Sequence, residues 1–224
     1  MLTRLRAILL AVIALGLAGC GSITYERARV VGSTVGNPTL GRGVAYQLPT
    51  EYALLNPYAP VPALPESQAF ENYLRGIVAA NDKPQEQHGF RESYLYRAQD
   101  RYVVVIHVAI NFPSTFRALP PQERALLLPQ VAAENRRYFA VPNREQHDEF
   151  IELSGRDAIA HRAFLLDAAG PAGRGWIGTG FTFIGDVTDV VAVYVFSRRH
   201  DSDAGQADLK VIMDSFRYGA PTAP

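Results

Sequence analysis

The segment "RYVVVIHVAIN", residues 101–111, constrains the fold more than any other stretch of the chain. It is rich in β-branched residues, and both of its faces are apolar. Tyr102, Val104, Ile106, Val108 and Ile110 share one parity; Val103, Val105 and Ala109 share the other. A strand with one wet face alternates apolar and polar residues, whereas one apolar on both faces belongs inside a sheet covered on both sides. A chain of 224 residues, 48% of them hydrophobic, is long enough to build such a layered core.

The neighbouring segments supply the rest of the sheet. "FRESYLYRA" (90–98) alternates, with Phe90, Tyr94 and Tyr96 on one face, and Gln99-Asp100 suits a tight hairpin turn into 101–111. "EFIELSG" (149–155) and "DAIAHRAFLLDA" (157–168) pair around Gly155. "GPAGRG" reads as a flexible turn. "WIGTGFTFIGD" and "DVVAVYVFSRR" form a hairpin around Gly185 and Asp186. "GVAYQLP" (43–49) is a first short strand, and the proline-rich 56–67 an extended loop.

Helices are expected at three places. Ser67 caps the first, to Ala80, where Phe70, Leu74, Ile77 and Val78 share a face and "NDKP" stops it. The second opens at Pro120 and Pro121 and runs to Phe139, with a kink or break at Pro129. The third covers 203–217, with Leu209, Ile212, Met213 and Phe216 in register. The expected fold is α+β: a largely antiparallel sheet of about six strands with helices packed against it, similar to an α/β/α sandwich.

The N-terminus gives an address. Arg4 and Arg6 precede the uncharged "AILLAVIALGLA" of residues 7–18. That run is shorter than the about 20 apolar residues of a bilayer span and has the length of a secretory h-region. The one cysteine of the chain follows in Leu17-Ala18-Gly19-Cys20. This stretch resembles the lipobox of bacterial lipoproteins. The resemblance implies cleavage before Cys20, a diacylglyceryl thioether on its sulfur, and acylation of the new N-terminus, since stable anchoring takes more than one acyl chain. Gly21, rather than Asp, in the next position implies sorting to the outer membrane. The domains expected are a signal peptide (1–19), a lipidated tether (20–42), a single α+β domain (43–218) and a disordered tail (219–224). A second reading of the tether docks residues 23–31 as an edge strand.

Residues 154–216 also resemble the Mog1/PsbP-like domains: a Ser154-Gly155 pair, aromatic-bearing strands over 176–196, and Ser215-Phe216 closing the last helix. That resemblance implies an α/β/α sandwich used for binding or assembly, and carries no catalytic residues.

Charge and motifs narrow the function. The leader holds two of the 22 basic residues and none of the 22 acidic ones. The mature chain is therefore slightly acidic, and a nucleic-acid partner is not expected. No second cysteine exists for an internal disulfide. "GRGWIG" (173–178) matches GxGxxG, but a Gly/Pro turn precedes it and a strand follows, where a dinucleotide site needs strand then helix. Gly178 and Gly180 share a strand face with Trp176, and a groove beside these three residues is the one ligand-binding candidate. His107 and His161 fall on apolar faces and read as hydrogen-bonded core histidines. "HDE" (147–149) lacks the second histidine of an HExxH motif. Ser154 and His161 lie on opposite parities unless Gly155 breaks the register, which speaks against a hydrolase pair, and Glu149 and Glu152 also differ in parity, which makes a poor glycosidase pair. Tyr52, Tyr58 and Tyr73, near the proline-rich loop, make either a recognition surface or pins that hold that loop down.

No metal or cofactor is expected. The function expected is that of a non-catalytic binding or assembly module of the cell envelope, anchored to the outer membrane through Cys20 with its body in the periplasm. An envelope protein is the expected partner. A periplasmic hydrolase without a recognisable motif and a carrier of a lipophilic ligand are the alternatives.

Overall fold

The alternation of 90–98 and the doubly apolar 101–111 meet as a hairpin, and the rest of the molecule is layered on it. The computed structural model describes residues 29–31, 34–37, 43–58, 67–86, 89–110, 120–140, 148–185 and 189–219. Along the chain come β1 (Arg29–Val31), β2 (Thr34–Asn37), β3 (Val44–Gln47), β4 (Ala53–Leu55), α1 (Ser67–Asn81), β5 (Lys83–Glu86), β6 (Gly89–Ala98) and β7 (Arg101–Ile110). Then follow α2 (Pro121–Arg136), β8 (Asp148–Leu153), β9 (Arg156–Leu165), β10 (Trp176–Ile184), β11 (Asp189–Arg198), α3 (Ser202–Ser215) and β12 (Arg217–Tyr218).

The main sheet has eight strands in the order β4-β6-β7-β11-β10-β9-β8, with β5 also paired to β6. Every pairing is antiparallel. A smaller sheet has the order β1-β2-β3-β12. The α+β class and the antiparallel sheet covered by helices are as the sequence predicts. The main sheet is wider than the six strands expected because β4, three residues long, and β5, short and polar, are too brief to signal themselves.

β7 is buried on both faces, as its composition demands. Val103 and Val105 join a core with Tyr46 of β3, Leu209 and Ile212 of α3, and Phe216. Tyr102, Val104 and Ile106 join the opposite core, where α1 inserts Phe70, Leu74 and Val78. Each large side chain so buried contributes about 1.5–3 kcal/mol of transfer free energy. A third, smaller cluster lies under α2, where Leu128 and Ala132 meet Ile159 and Ile184. The layers are therefore α1 and α2, then the main sheet, then α3 with the small sheet.

Four local expectations change. Residues 29–31 and 34–37, placed in the tether by the first reading, pair with each other and onto β3, and 29–31 form the edge strand that the second reading has within 23–31. Val35 is fully buried in the core, so the folded body begins before residue 43. α2 is one helix that runs through Pro129 rather than two. Pro129 is exposed, so water can reach the carbonyl four residues back that it leaves unbonded. The "GPAGRG" stretch lies largely within a 3-10 segment, Asp167–Gly173, that breaks at Gly170 (φ 55°). Finally, "KPQE" after α1 is strand β5, not merely a stop. The turns at Gln99 (φ 48°) and at Ser154-Gly155 (φ 53° and 73°) fall where the sequence places them.

Candidate functional site

Each apolar face of the main sheet carries one buried histidine paired with a carboxylate. His107 stands on β7 among Val103, Val105 and Ala109, and the β6–β7 register sets Glu92 directly across from it. His107 Nδ1 lies 2.7 Å from Glu92 Oε1. Tyr94, two residues along β6, donates its hydroxyl to Glu92 Oε2 at 2.6 Å. From the small sheet, the Tyr46 hydroxyl reaches His107 Nε2 at 3.2 Å. Glu92 and His107 are wholly inaccessible to solvent. Burial pushes the Tyr46 hydroxyl well above its usual pKa, with Tyr96, Glu92 and Tyr94 adding to it. Burial and then Glu92 do the same for Tyr96. Both phenols therefore stay protonated and can only serve as neutral partners near neutral pH. The Tyr96 hydroxyl is buried and has no hydrogen-bond partner among the described residues.

The second histidine lies on the face covered by α2. The β8–β9 register places Asp148 opposite His161. Asp148 Oδ1 is 3.0 Å from His161 Nδ1, and the Thr182 hydroxyl of β10 is 2.9 Å from Nε2. Arg136, the last residue of α2, ion-pairs with Asp148 and brings Nη1 within 3.0 Å of His161 Nδ1. The Tyr194 ring stacks on the imidazole, 5.7 Å between centroids. Burial drives the His161 pKa down; Asp148 pulls it up, Arg136 pushes it down again, and the net shift is downward. Burial raises Asp148, but the bonds from His161 and Arg136 outweigh it and hold its carboxyl below the usual range.

A third polar cluster binds three elements at the rim. Asp208 of α3 accepts from the Tyr52 hydroxyl at 2.6 Å and from Arg101 Nε at 2.7 Å. Arg101 also reaches Glu51 at 3.1 Å and Asp201 at 3.6 Å. The 49–52 turn, the start of β7 and the first turns of α3 are thereby tied together.

In both histidine clusters the two ring nitrogens are engaged by protein groups. Each ring bridges elements of different layers or strands and presents no nitrogen to a substrate. The arrangement suits rigid docking of layers rather than proton transfer at a surface.

The residues singled out from the sequence fall as follows. Trp176 is buried: its indole stacks on Phe70 at 4.3 Å, with the Arg198 guanidinium 4.2 Å from the ring centre. The side-chain space above Gly178 is taken by the Phe164 ring, and that above Gly180 by the Val193 carbonyl. In "GRGWIG", Gly175 has φ 80° and the motif runs straight into β10, so its later amides belong to the sheet. Ser154 sits in the β8–β9 turn and accepts from the Tyr218 amide at 2.9 Å. His161 lies at the other end of that hairpin, facing Asp148. Glu149 pairs with Arg162 at 2.5 Å, apart from Glu152. Among the described residues no group of three or more His, Cys, Asp or Glu side chains is arranged to hold a metal. Tyr52 and Tyr73 are tied into the body, to Asp208 and to the Tyr138 carbonyl, while Tyr58 is 65% exposed. Cys20, His88, His147 and the prolines of 60–65 lie outside the described residues.

Glu92, Arg136 and Thr182 were missed at the sequence level. The one available signal was for Glu92: it shares a parity with Tyr94 and Tyr96 on a strand whose partner carries His107 on an apolar face.

Comparison with known proteins adds little. No protein family matches the sequence, the Mog1/PsbP-like domains included, and no curated protein matches it. Among solved structures, LpqN, a protein involved in cell envelope biogenesis of Mycobacterium tuberculosis, is similar over 90% of this chain and 90% of its own. The TM-score is 0.37 and the sequence identity 10%. At that TM-score the likeness bears on neither fold nor function.

Proposed function

We propose that this chain is a lipid-anchored protein of the bacterial cell envelope, held at the outer membrane through Cys20, whose periplasmic body is a non-catalytic binding or assembly module. The observation that carries the reading is Leu17-Ala18-Gly19-Cys20 placed directly after a short apolar run with a basic start. The body supports the second half of the reading. Its two buried histidines have both nitrogens committed to protein groups, and Ser154 serves a turn.

The test is metabolic labelling with an alkyne-bearing palmitate analogue, in the wild-type protein and in Cys20→Ala, followed by membrane fractionation. The expected result is label on the wild type alone, and release of the variant from the outer-membrane fraction. Label on both proteins, or on neither, would remove the anchor from the reading. In-cell crosslinking of the same pair then addresses the module: a discrete envelope partner captured by the wild type and lost with Cys20→Ala is expected. Reaction of the body with a fluorophosphonate probe would replace the module by a hydrolase.

A further inference from the structure

Helix α2 is fixed to the sheet along its own length in two ways, and the turn after it buries Phe139 in the core that α1 covers. Its middle rests on the smallest of the three apolar clusters, Leu128 and Ala132 on Ile159 and Ile184. Its C-terminal residue is fixed by charge: Arg136 is buried, ion-paired with Asp148 of β8, and 3.0 Å from His161 Nδ1. At that point one cation and one anion balance, and the imidazole beside them is closed off from solvent while the Asp148 side chain is 30% exposed.

We propose that Arg136, Asp148 and His161 form an acid-sensitive latch: protonation of His161 sets two cations against one carboxylate in a closed site and frees the C-terminal part of α2 from the sheet edge.

Among the described residues, the groups facing His161 offer no other counter-charge. Asp148 comes from β8, Arg136 from α2, the Thr182 hydroxyl from β10 and the Tyr194 ring from β11. Burial holds the Tyr194 phenol above its usual pKa, so it stays neutral and supplies no counter-charge. A second buried cation without its own partner is strongly unfavourable. Arg136 is the cation able to leave, because it ends a helix and its carboxylate partner already touches solvent.

The sign follows from linkage. His161 in the closed state has a pKa below its ordinary about 6.5, and it returns toward that value when α2 lifts away. The open form therefore binds more protons, and opening is favoured as pH falls below about 6.5. Asp148 is held below the usual carboxylate range by its bonds from His161 and Arg136, so it stays ionised while His161 titrates and does not act in the same window. β6 and β7 pair with each other away from β8 and β9, and no side chain of either faces His161 among the described residues.

Hydrogen exchange of the full-length protein, followed by mass spectrometry at pH 7.5 and 5.0 and corrected for intrinsic amide rates, tests the latch. Residues 121–136 and 148–153 should exchange up to about thirty-fold faster at pH 5.0, the limit set by one released histidine, with β6 and β7 unchanged. His161→Gln should abolish the response while leaving His88, His107, His147 and His200 in place. Equal corrected rates at the two pH values, or the same response in His161→Gln, would overturn the proposal. If His161→Gln does not fold, Arg136→Gln decides the matter: with one cation gone, His161 should titrate nearer to about 6.5 by NMR. A titration unchanged from the wild type would sink the idea.

Discussion

At Gly178 the strand has no side chain because the Phe164 ring of β9 lies across it, at the point where the β9–β10 register shifts. Phe164 is itself buried and packed with Trp176 and Tyr194 in one core, so it has no open direction in which to retreat. Gly178→Ala should therefore destabilise the fold by about 1–3 kcal/mol, the cost of overpacking, read as a shift in the urea midpoint. A midpoint within experimental error of the wild type would mean that the ring yields freely. The sequence marks Gly178 and Gly180 as points of close approach, but not what approaches. The same limit applies to the histidines. Strand parity places His107 and His161 on apolar faces, whereas the partners Glu92, Thr182 and Arg136 are set by cross-strand register and by a helix that is distant along the chain.

Among the elements, those with a long periodic signal are the ones the sequence locates. The β6–β7, β8–β9 and β10–β11 hairpins and all three helices lie within a few residues of their expected bounds. Short elements are different, apart from the four-residue β3, which falls within the expected 43–49. β1, β2, β4, β5 and β12 have two to four residues each, too few for alternation to rise above chance. They exist because a neighbouring edge offers unpaired backbone groups. The β1–β2 hairpin is the consequential case, since it turns part of an expected tether into part of the folded body. Val35 is fully buried there, so Val35→Ala should cost about 2 kcal/mol from lost transfer energy and the cavity left behind. Thermal or urea denaturation checks this; a change under about 0.5 kcal/mol, the size of an ordinary surface substitution, would return residues 29–37 to the tether. α2 shows the opposite kind of override. Proline lowers helix propensity sharply, yet packing of Leu128 and Ala132 keeps the helix continuous through Pro129.

For the molecule as a whole, the decisive contact is between β7 and β11. They pair from Asp189↔Ala109 to Phe196↔Tyr102, joining two hairpins that are far apart in the chain. Until that pairing forms, neither large core can close, because each draws on both strands. Loop closure over such a separation makes folding slow. Refolding followed by Trp176 fluorescence should therefore fall in the millisecond-to-second range typical of non-local β topologies, since Trp176 meets Phe70 and Tyr102 only in the assembled core. Complete recovery of the signal within microseconds would show that the α1–sheet core forms without β11.

The sequence by itself determined the local and periodic features: Leu17-Ala18-Gly19-Cys20 placed directly after a short uncharged run, a strand that must be covered on both faces, the long hairpins, and the α+β class. These are local properties, readable from residues a few positions apart. Tertiary structure alone decided that β7 meets β11, that β1 and β2 extend the small sheet, and that Phe164 fills the space over Gly178. It also decided that Arg136 shares Asp148 with His161. Each of these joins residues distant along the chain. Pairing and packing of that kind depend on which surfaces remain to be covered once the local elements have formed, and no short window of sequence contains that information.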